Sequence, residues 1–327
     1  MKGFNNCGLA LAALTLLASS ASADRNDPGS LLIYPAVSTS AGGPGLTASG
    51  DLTLFSITNT SSTESVRVHV IYVDGDDCSK TNLFETLTPN DTFTAITNSW
   101  IPASGAGYIY AYALSMSGQP VDFDHLVGSG ALISPYAGGS ARYNAMVFEG
   151  QTGHGNTTDL DSDGLRDLDG QEYSATPDRV LIPSFIGQDA KAFSGNLVLL
   201  GLTGTKFDTT ADLLIYNDNE QVFSSQVTFD CWDIRPLLSI SGIFRNDFLH
   251  MNTTNDPDEI RGAPSLESGW FIMDGAVANS STTTIADPAF LALYLESTPF
   301  YGLSATLPFT LGEQTNGQIL SQSLSGN

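Results

Sequence analysis

An ordered internal repeat limits this chain more than any other feature of its sequence. Leu31–Pro35 (LLIYP) is echoed by Val180–Pro183 (VLIP), and Asp51–Thr60 (DLTLFSITNT) by Asn196–Thr205 (NLVLLGLTGT). Ile71–Asp74 (IYVD) returns as Ile215–Asp218 (IYND), and Gly107–Tyr110 (GYIY) as Gly269–Ile272 (GWFI). Even the ends match, Phe148–Gly153 (FEGQTG) against Leu311–Gly317 (LGEQTNG). The order is kept throughout, which points to duplication of one supersecondary unit. The expected organisation is copy one over 28–153, a junction over 154–176, copy two over 177–319 and a tail over 320–327.

Each copy reads as β-rich. In Val66–Tyr72, Val66, Val68, Val70 and Tyr72 alternate with Arg67 and His69, the period of a strand with one buried face. Clusters of Gly, Asn, Asp and Pro separate such runs at turn-like spacing. About seven strands per copy predict an all-β fold of two tandem β-sandwich domains, Ig-like with Greek-key connections, or alternatively jelly rolls. On this reading His69 is an exposed sheet residue. Tyr108, Tyr110 and Tyr112 share one strand face. Because Tyr108 and Tyr110 align with Trp270 and Ile272, that face is expected to be core, with Tyr112 at its wet end opposite Asp274.

The first residues read as an export signal. Lys2 supplies a positive start, Leu9–Leu17 an apolar run too short to span a bilayer, and Ala21-Ser22-Ala23 a small-x-small cleavage site before Asp24. Cleavage takes Cys7 and Lys2 with it, leaving 11 basic against 35 acidic residues and a net charge of −24. Such acidity argues against nucleic acid, whose binding needs clustered Lys and Arg, and against anionic lipid surfaces. It suits a protein kept soluble at high ionic strength, as in a marine habitat. No later stretch is long and apolar enough for a membrane span, and the C-terminal SQSLSGN shows no hydrophobic sorting tail. The expected location is outside the cell, with the periplasm as the alternative.

Residues 159–172 read DLDSDGLRDLDGQE. Asp159, Asp161 and Asp163 stand at positions 1, 3 and 5 of a calcium loop, Gly164 at 6, the Leu165 carbonyl at 7 and Asp167 at 9. Calcium takes six to eight oxygens, and alternate carboxylates on a tight loop supply them. The segment resembles the loops of thrombospondin type 3 repeats, dockerins and EF-hands over about fourteen residues. The resemblance implies Ca²⁺ as ligand. It departs from the EF-hand at position 12, Gly170, so Asp169 or Glu172 has to close the shell. The alternative is a solvated acidic linker. An ion here would stiffen the junction between the copies. Asp74-Gly75-Asp76-Asp77 reads as a hairpin turn, and Asp256, Asp258 and Glu259 as a solvated loop.

Cys78 and Cys231 follow what look like equivalent strands. In an exported chain they are candidates for a disulfide between the copies; two buried thiols or intermolecular pairing are the alternatives. The sequence contains no G-x-S-x-G, H-E-x-x-H or C-x-x-C motif and no phosphate-cradling loop. His125 lies near Asp122 and Asp124, but the aligned stretch of copy two is apolar. His154 sits in a Gly-rich loop, and His250 has no evident partner. The leading expectation is a secreted, calcium-stabilised structural, adhesion or surface-matrix protein without catalysis, meeting a protein or glycan partner. The alternatives are a pair of carbohydrate-binding modules using Trp232, Tyr136 or Tyr301, and an extracellular polymer hydrolase built on paired carboxylates.

Overall fold

A computed structural model describes residues 27–39, 51–101, 105–134, 139–188, 193–204, 207–252, 260, 266–298 and 302–320. The alternating runs of the first half form β1 (Leu31–Thr39), β2 (Leu52–Asn59), β3 (Val66–Asp74), β4 (Lys80–Leu87), β5 (Thr92–Ile96), β6 (Gly105–Leu114), β7 (Leu126–Ser134), β8 (Gly139–Asn144) and β9 (Met146–Phe148). Next come β10 (Leu165–Leu168) and then β11 (Arg179–Ile186), β12 (Ser194–Gly201), β13 (Asp208–Asn217), β14 (Val222–Phe229) and β15 (Trp232–Pro236). The chain ends with β16 (Ser268–Asn279), β17 (Thr284–Ala286), β18 (Phe290–Thr298), β19 (Gly302–Thr306), β20 (Phe309–Leu311) and β21 (Gly317–Leu320). The fold is all-β and sandwich-like, with several antiparallel sheets, none closed. Among the described residues no helix is long and apolar enough to cross a membrane.

The repeat seen in the sequence is also a repeat of topology. The first half builds sheets ordered β4-β3-β6-β1-β9 and β5-β2-β7-β8. The second builds β14-β13-β16-β11-β20 and β15-β12-β18-β19, the same order strand for strand, with β17 added beside β16. Even an irregularity recurs. The register of β1 against β6 shifts between Tyr34 and Val37, and that of β11 against β16 between Ile182 and Phe185. Pro35 and Pro183 sit in these shifts, where a residue without an N–H leaves no ladder bond unmade.

Four sheets stack. Phe55 and Ile57 of β2 pack on the inner face of the β4-β3-β6-β1-β9 sheet, where Phe55 meets Tyr34 edge-on at 5.6 Å. The other face of that sheet carries Leu31, Ile33, Ile71, Val73 and the Tyr108–Tyr110–Tyr112 stack. Val198 and Leu200 of β12 and Leu291, Leu293 and Leu295 of β18 join it in one continuous core that runs across both halves. The alternate residues Leu197, Leu199, Ala292 and Tyr294 face a second core with Val180, Ile182, Leu213 and Phe271. The central strands β12 and β18 of the β15-β12-β18-β19 sheet are thus buried on both faces, which explains their near-continuous apolar runs.

Several expectations change. Tyr108, Tyr110 and Tyr112 are core, but Tyr112 is as buried as its neighbours rather than wet. His69 is buried too, stacked on Phe84 at 4.1 Å. Its Nδ1 lies 2.9 Å from the Tyr112 hydroxyl and its Nε2 2.9 Å from Asn82 Oδ1. Alternation separates two faces of a strand but does not say that one is wet; here Phe84 stacks on His69, and Arg166 of β10 lies over Tyr112. The Ile71 echo also shifts by one residue: Ile71 lies opposite Tyr110 and Leu214 opposite Ile272. Asp74-Gly75-Asp76-Asp77 does form the β3–β4 turn.

Cys78 and Cys231 are joined by a disulfide with Cα atoms 6.5 Å apart. They are not equivalent residues. Cys78 lies in the β3–β4 turn, whereas Cys231 lies one strand later, between β14 and β15. Beside the bridge, Trp232 Nε1 donates to the Pro35 carbonyl at 2.7 Å. The expected signal segment, residues 1–23, and Asp256, Asp258, Glu259, Tyr136 and Tyr301 lie outside the described residues.

Candidate metal centre

The acidic segment is woven into both halves. β10 pairs with β21 (Arg166 opposite Ile319), Val121 bridges Thr157, Gly150 bridges Tyr173, and Thr176 bridges Gln314. Ser162 at φ 63° and Gly164 at φ 83° turn the chain sharply, and Gly is the residue that tolerates this without a Cβ penalty. The carboxylates also shape their own loop. Asp161 Oδ1 accepts from the Asp163 N–H at 3.1 Å, and Asp163 Oδ1 from the Leu165 N–H at 2.7 Å. Leu165 then opens β10.

A second turn, at Gly170 with φ 82°, brings the chain back. Asp169 Oδ1 accepts from the N–H groups of Gln171 at 2.7 Å and Glu172 at 3.0 Å. Glu172 is 3% exposed. It accepts from the Leu160 N–H and, at 3.3 Å, from the Asp167 N–H. Of the two acids expected to close the shell, Glu172 points inward and Asp169 builds the turn.

Two sets of ligand atoms converge within 4.8 Å, Asp159–Asp161–Asp163 and Asp161–Asp167–Glu172, with Asp161 in both. Asp167 Oδ1 is buried without a hydrogen-bond partner. Burial, then the charges of Glu172, Asp163, Asp169 and Asp161, push the Asp167 carboxyl up to about 6. Burial likewise raises Glu172. Like charges this close oppose ionisation unless a cation offsets them. The all-oxygen donor set and the orphaned Asp167 oxygen fit a hard divalent cation.

The sequence reading missed Arg166. It is 1% exposed, with Nη2 3.0 Å from Asp159 Oδ2 and Nη1 3.3 Å from the Thr158 carbonyl. An arginine in an acidic loop reads as a surface charge, and only the pairing of β10 shows it pointing inward. A third convergent set, Asp178–Asp274–Asp287, was also missed, because it forms only across the sheet. Arg179 Nε lies 3.1 Å from Asp178 and 3.8 Å from Asp274, so a resident cation already faces it.

No histidine belongs to a convergent metal group among the described residues. His125 and His154 line an open cavity of about 520 Å³ with Asp122 and Asp124. Both carboxylates there hold the backbone. Asp122 accepts from Thr152 and Gly153 N–H, and Asp124 from Ser30 Oγ and Gly150 N–H. His154 pairs with Glu64 at 2.7 Å, and His250, which had no evident partner in the sequence, with buried Glu267 at 2.8 Å. Trp232 is buried, so its ring offers no stacking face to a sugar. No protein family, curated protein or solved structure matches the chain.

Proposed function

We propose that the protein is a secreted, calcium-braced structural or adhesion module that works by binding rather than by catalysis. On this reading the halves are tandem Ig-like sandwich domains, and Ca²⁺ sits among Asp159, Asp161, Asp163, Asp167, Glu172 and the Leu165 carbonyl. The carrying observation is the buried, unpartnered Asp167 oxygen beside Glu172 and Asp161. The ion would lock two turns together and so fix β10 between the halves. The disulfide across the halves agrees with an oxidising compartment.

The test is calorimetric titration of calcium into chelator-treated protein, with magnesium as control, alongside thermal unfolding. Without a bidentate Glu at position 12, the affinity expected is that of extracellular modules, Kd on the order of 10⁻⁴ to 10⁻³ M. Uptake of calcium with a raised melting temperature supports the reading. No heat and an unchanged melting profile would refute it.

A further inference from the structure

In the first half, the outer face of the β4-β3-β6-β1-β9 sheet is covered by the β15-β12-β18-β19 sheet of the second half. Among the described residues, the equivalent outer face in the second half, on β14-β13-β16-β11-β20, has no such cover. Two of its cross-strand rows are largely apolar, Ser224 opposite Leu214 being the polar member. Leu214, Ile272, Leu181 and Phe309 form one row, and Val222, Tyr216 and Trp270 the next. Their first-half counterparts Ile71, Tyr110, Ile33 and Met146, with Val73 and Tyr108, are all buried. Here Leu214 is 45%, Val222 55% and Phe309 65% exposed. Large apolar side chains exposed side by side on one sheet face mark an interaction site. The row alongside carries Asp212, Asp274 and Arg179 where the first half has His69, Tyr112 and Leu31.

We propose that this face docks a second copy of the same chain, head to tail, through the outer face of that copy's β5-β2-β7-β8 sheet. That sheet matches, strand for strand, the one that covers the equivalent face within the chain. The contact between copies therefore continues the internal stacking of sheets. Charge favours the same occupant. The outer side chains of β2, β5, β7 and β8 run through Leu54, Ser56, Thr58, Thr94 and Ser129 and include no carboxylate, in a chain of net charge −23. Arg142, exposed on β8, is the charge on that face and complements the Asp212–Asp274 margin. A two-fold pairing of the apolar faces would instead bring two acidic margins together. A head-to-tail contact leaves one face free at each end, so it adds further copies into filaments, or into rings where the rotation closes. None of the loop carboxylates lies on either face, so the proposal does not rest on calcium binding.

Sedimentation velocity from micromolar to millimolar protein, in high salt, with calcium and with chelator, tests this. Wild type should form concentration-dependent oligomers larger than dimers. Leu214→Glu spoils one face and Arg142→Glu the other; both positions are exposed, and circular dichroism checks each fold. Each variant alone should be monomeric, its association weakened at least about tenfold by a buried or mismatched charge. A mixture of the two should stop at dimers, because each retains one intact face. A monomeric wild type at millimolar concentration overturns the proposal. So does a dimer that survives Arg142→Glu but not Leu214→Glu, which would mean two-fold pairing.

Discussion

The guanidinium of Arg166 lies 5.3 Å over the Tyr112 ring while its Nη2 reaches Asp159 at 3.0 Å. One buried side chain therefore ties the acidic loop to the core shared by the two halves. Arg166→Met keeps most of the stem and removes the charge, leaving Asp159 unpaired beside Asp161 and Asp163. Breaking a buried pair costs about 3–5 kcal/mol, and the partial exposure of Asp159 places this one near roughly 3. Urea unfolding in chelator should show that loss, and calcium should recover part of it. A change under about 1 kcal/mol would mean that the pair is as weak as a surface one.

Glu172 and Asp169 should separate cleanly. Glu172→Gln removes a carboxylate from the convergent set and keeps one oxygen to accept from one of the two N–H groups, of Leu160 and Asp167, that Glu172 now holds with separate oxygens. Asp169→Asn keeps an oxygen for the Gln171 and Glu172 N–H groups and takes no ligand away. Thermal unfolding with and without calcium should show the stabilisation lost in the first and largely kept in the second. Equal loss in both would place Asp169 in the shell.

The all-β class was legible because alternating runs recur along the chain, and the acidic loop because carboxylates stand at alternate positions around a Gly. The burial of His69 and Tyr112 was not legible. It depends on what covers the second face, here Phe84 over His69 and Arg166 over Tyr112, and a period-two pattern carries no information about that. The cysteines misled for a related reason. Local echoes align strands, but Cys231 lies one strand beyond the echo, and only the stacking of four sheets brings it to Cys78.

Reduction of the Cys78–Cys231 bridge should weaken the fold without dividing it. The bridge spans 153 residues, and loss of a native disulfide typically costs about 2–5 kcal/mol. Yet Val198, Leu200, Leu291 and Leu293 share a continuous core with Leu31, Ile33 and Tyr110. A scan of the reduced protein, or of the Cys78→Ala/Cys231→Ala variant, should give one transition at lower temperature. Two separated transitions would show that the bridge, rather than the apolar interface, couples the halves.

His69 gives the fold a defined acid sensitivity. Burial lowers its pKa to about 4, against 6.5 for a free imidazole, with the Asn82 hydrogen bond working the other way and the charges of Arg67 and Arg166 adding to the fall. The unfolded chain takes up a proton as pH drops through 6.5, while the folded chain does so only near 4. Stability from this residue is therefore complete above 6.5 and lost between 6.5 and 4, by up to roughly 3 kcal/mol. Asp167, with its raised pKa, contributes with opposite sign, so wild type alone does not isolate the effect. His69→Gln keeps a polar side chain beside Asn82 and Tyr112 and cannot titrate. The difference in unfolding free energy between wild type and His69→Gln, measured by urea at pH 7 and again at pH 4.5, should shrink or reverse at the lower pH. Parallel pH profiles for the two proteins would mean that the packing of Phe84 and Tyr112 around the imidazole does not hold it uncharged.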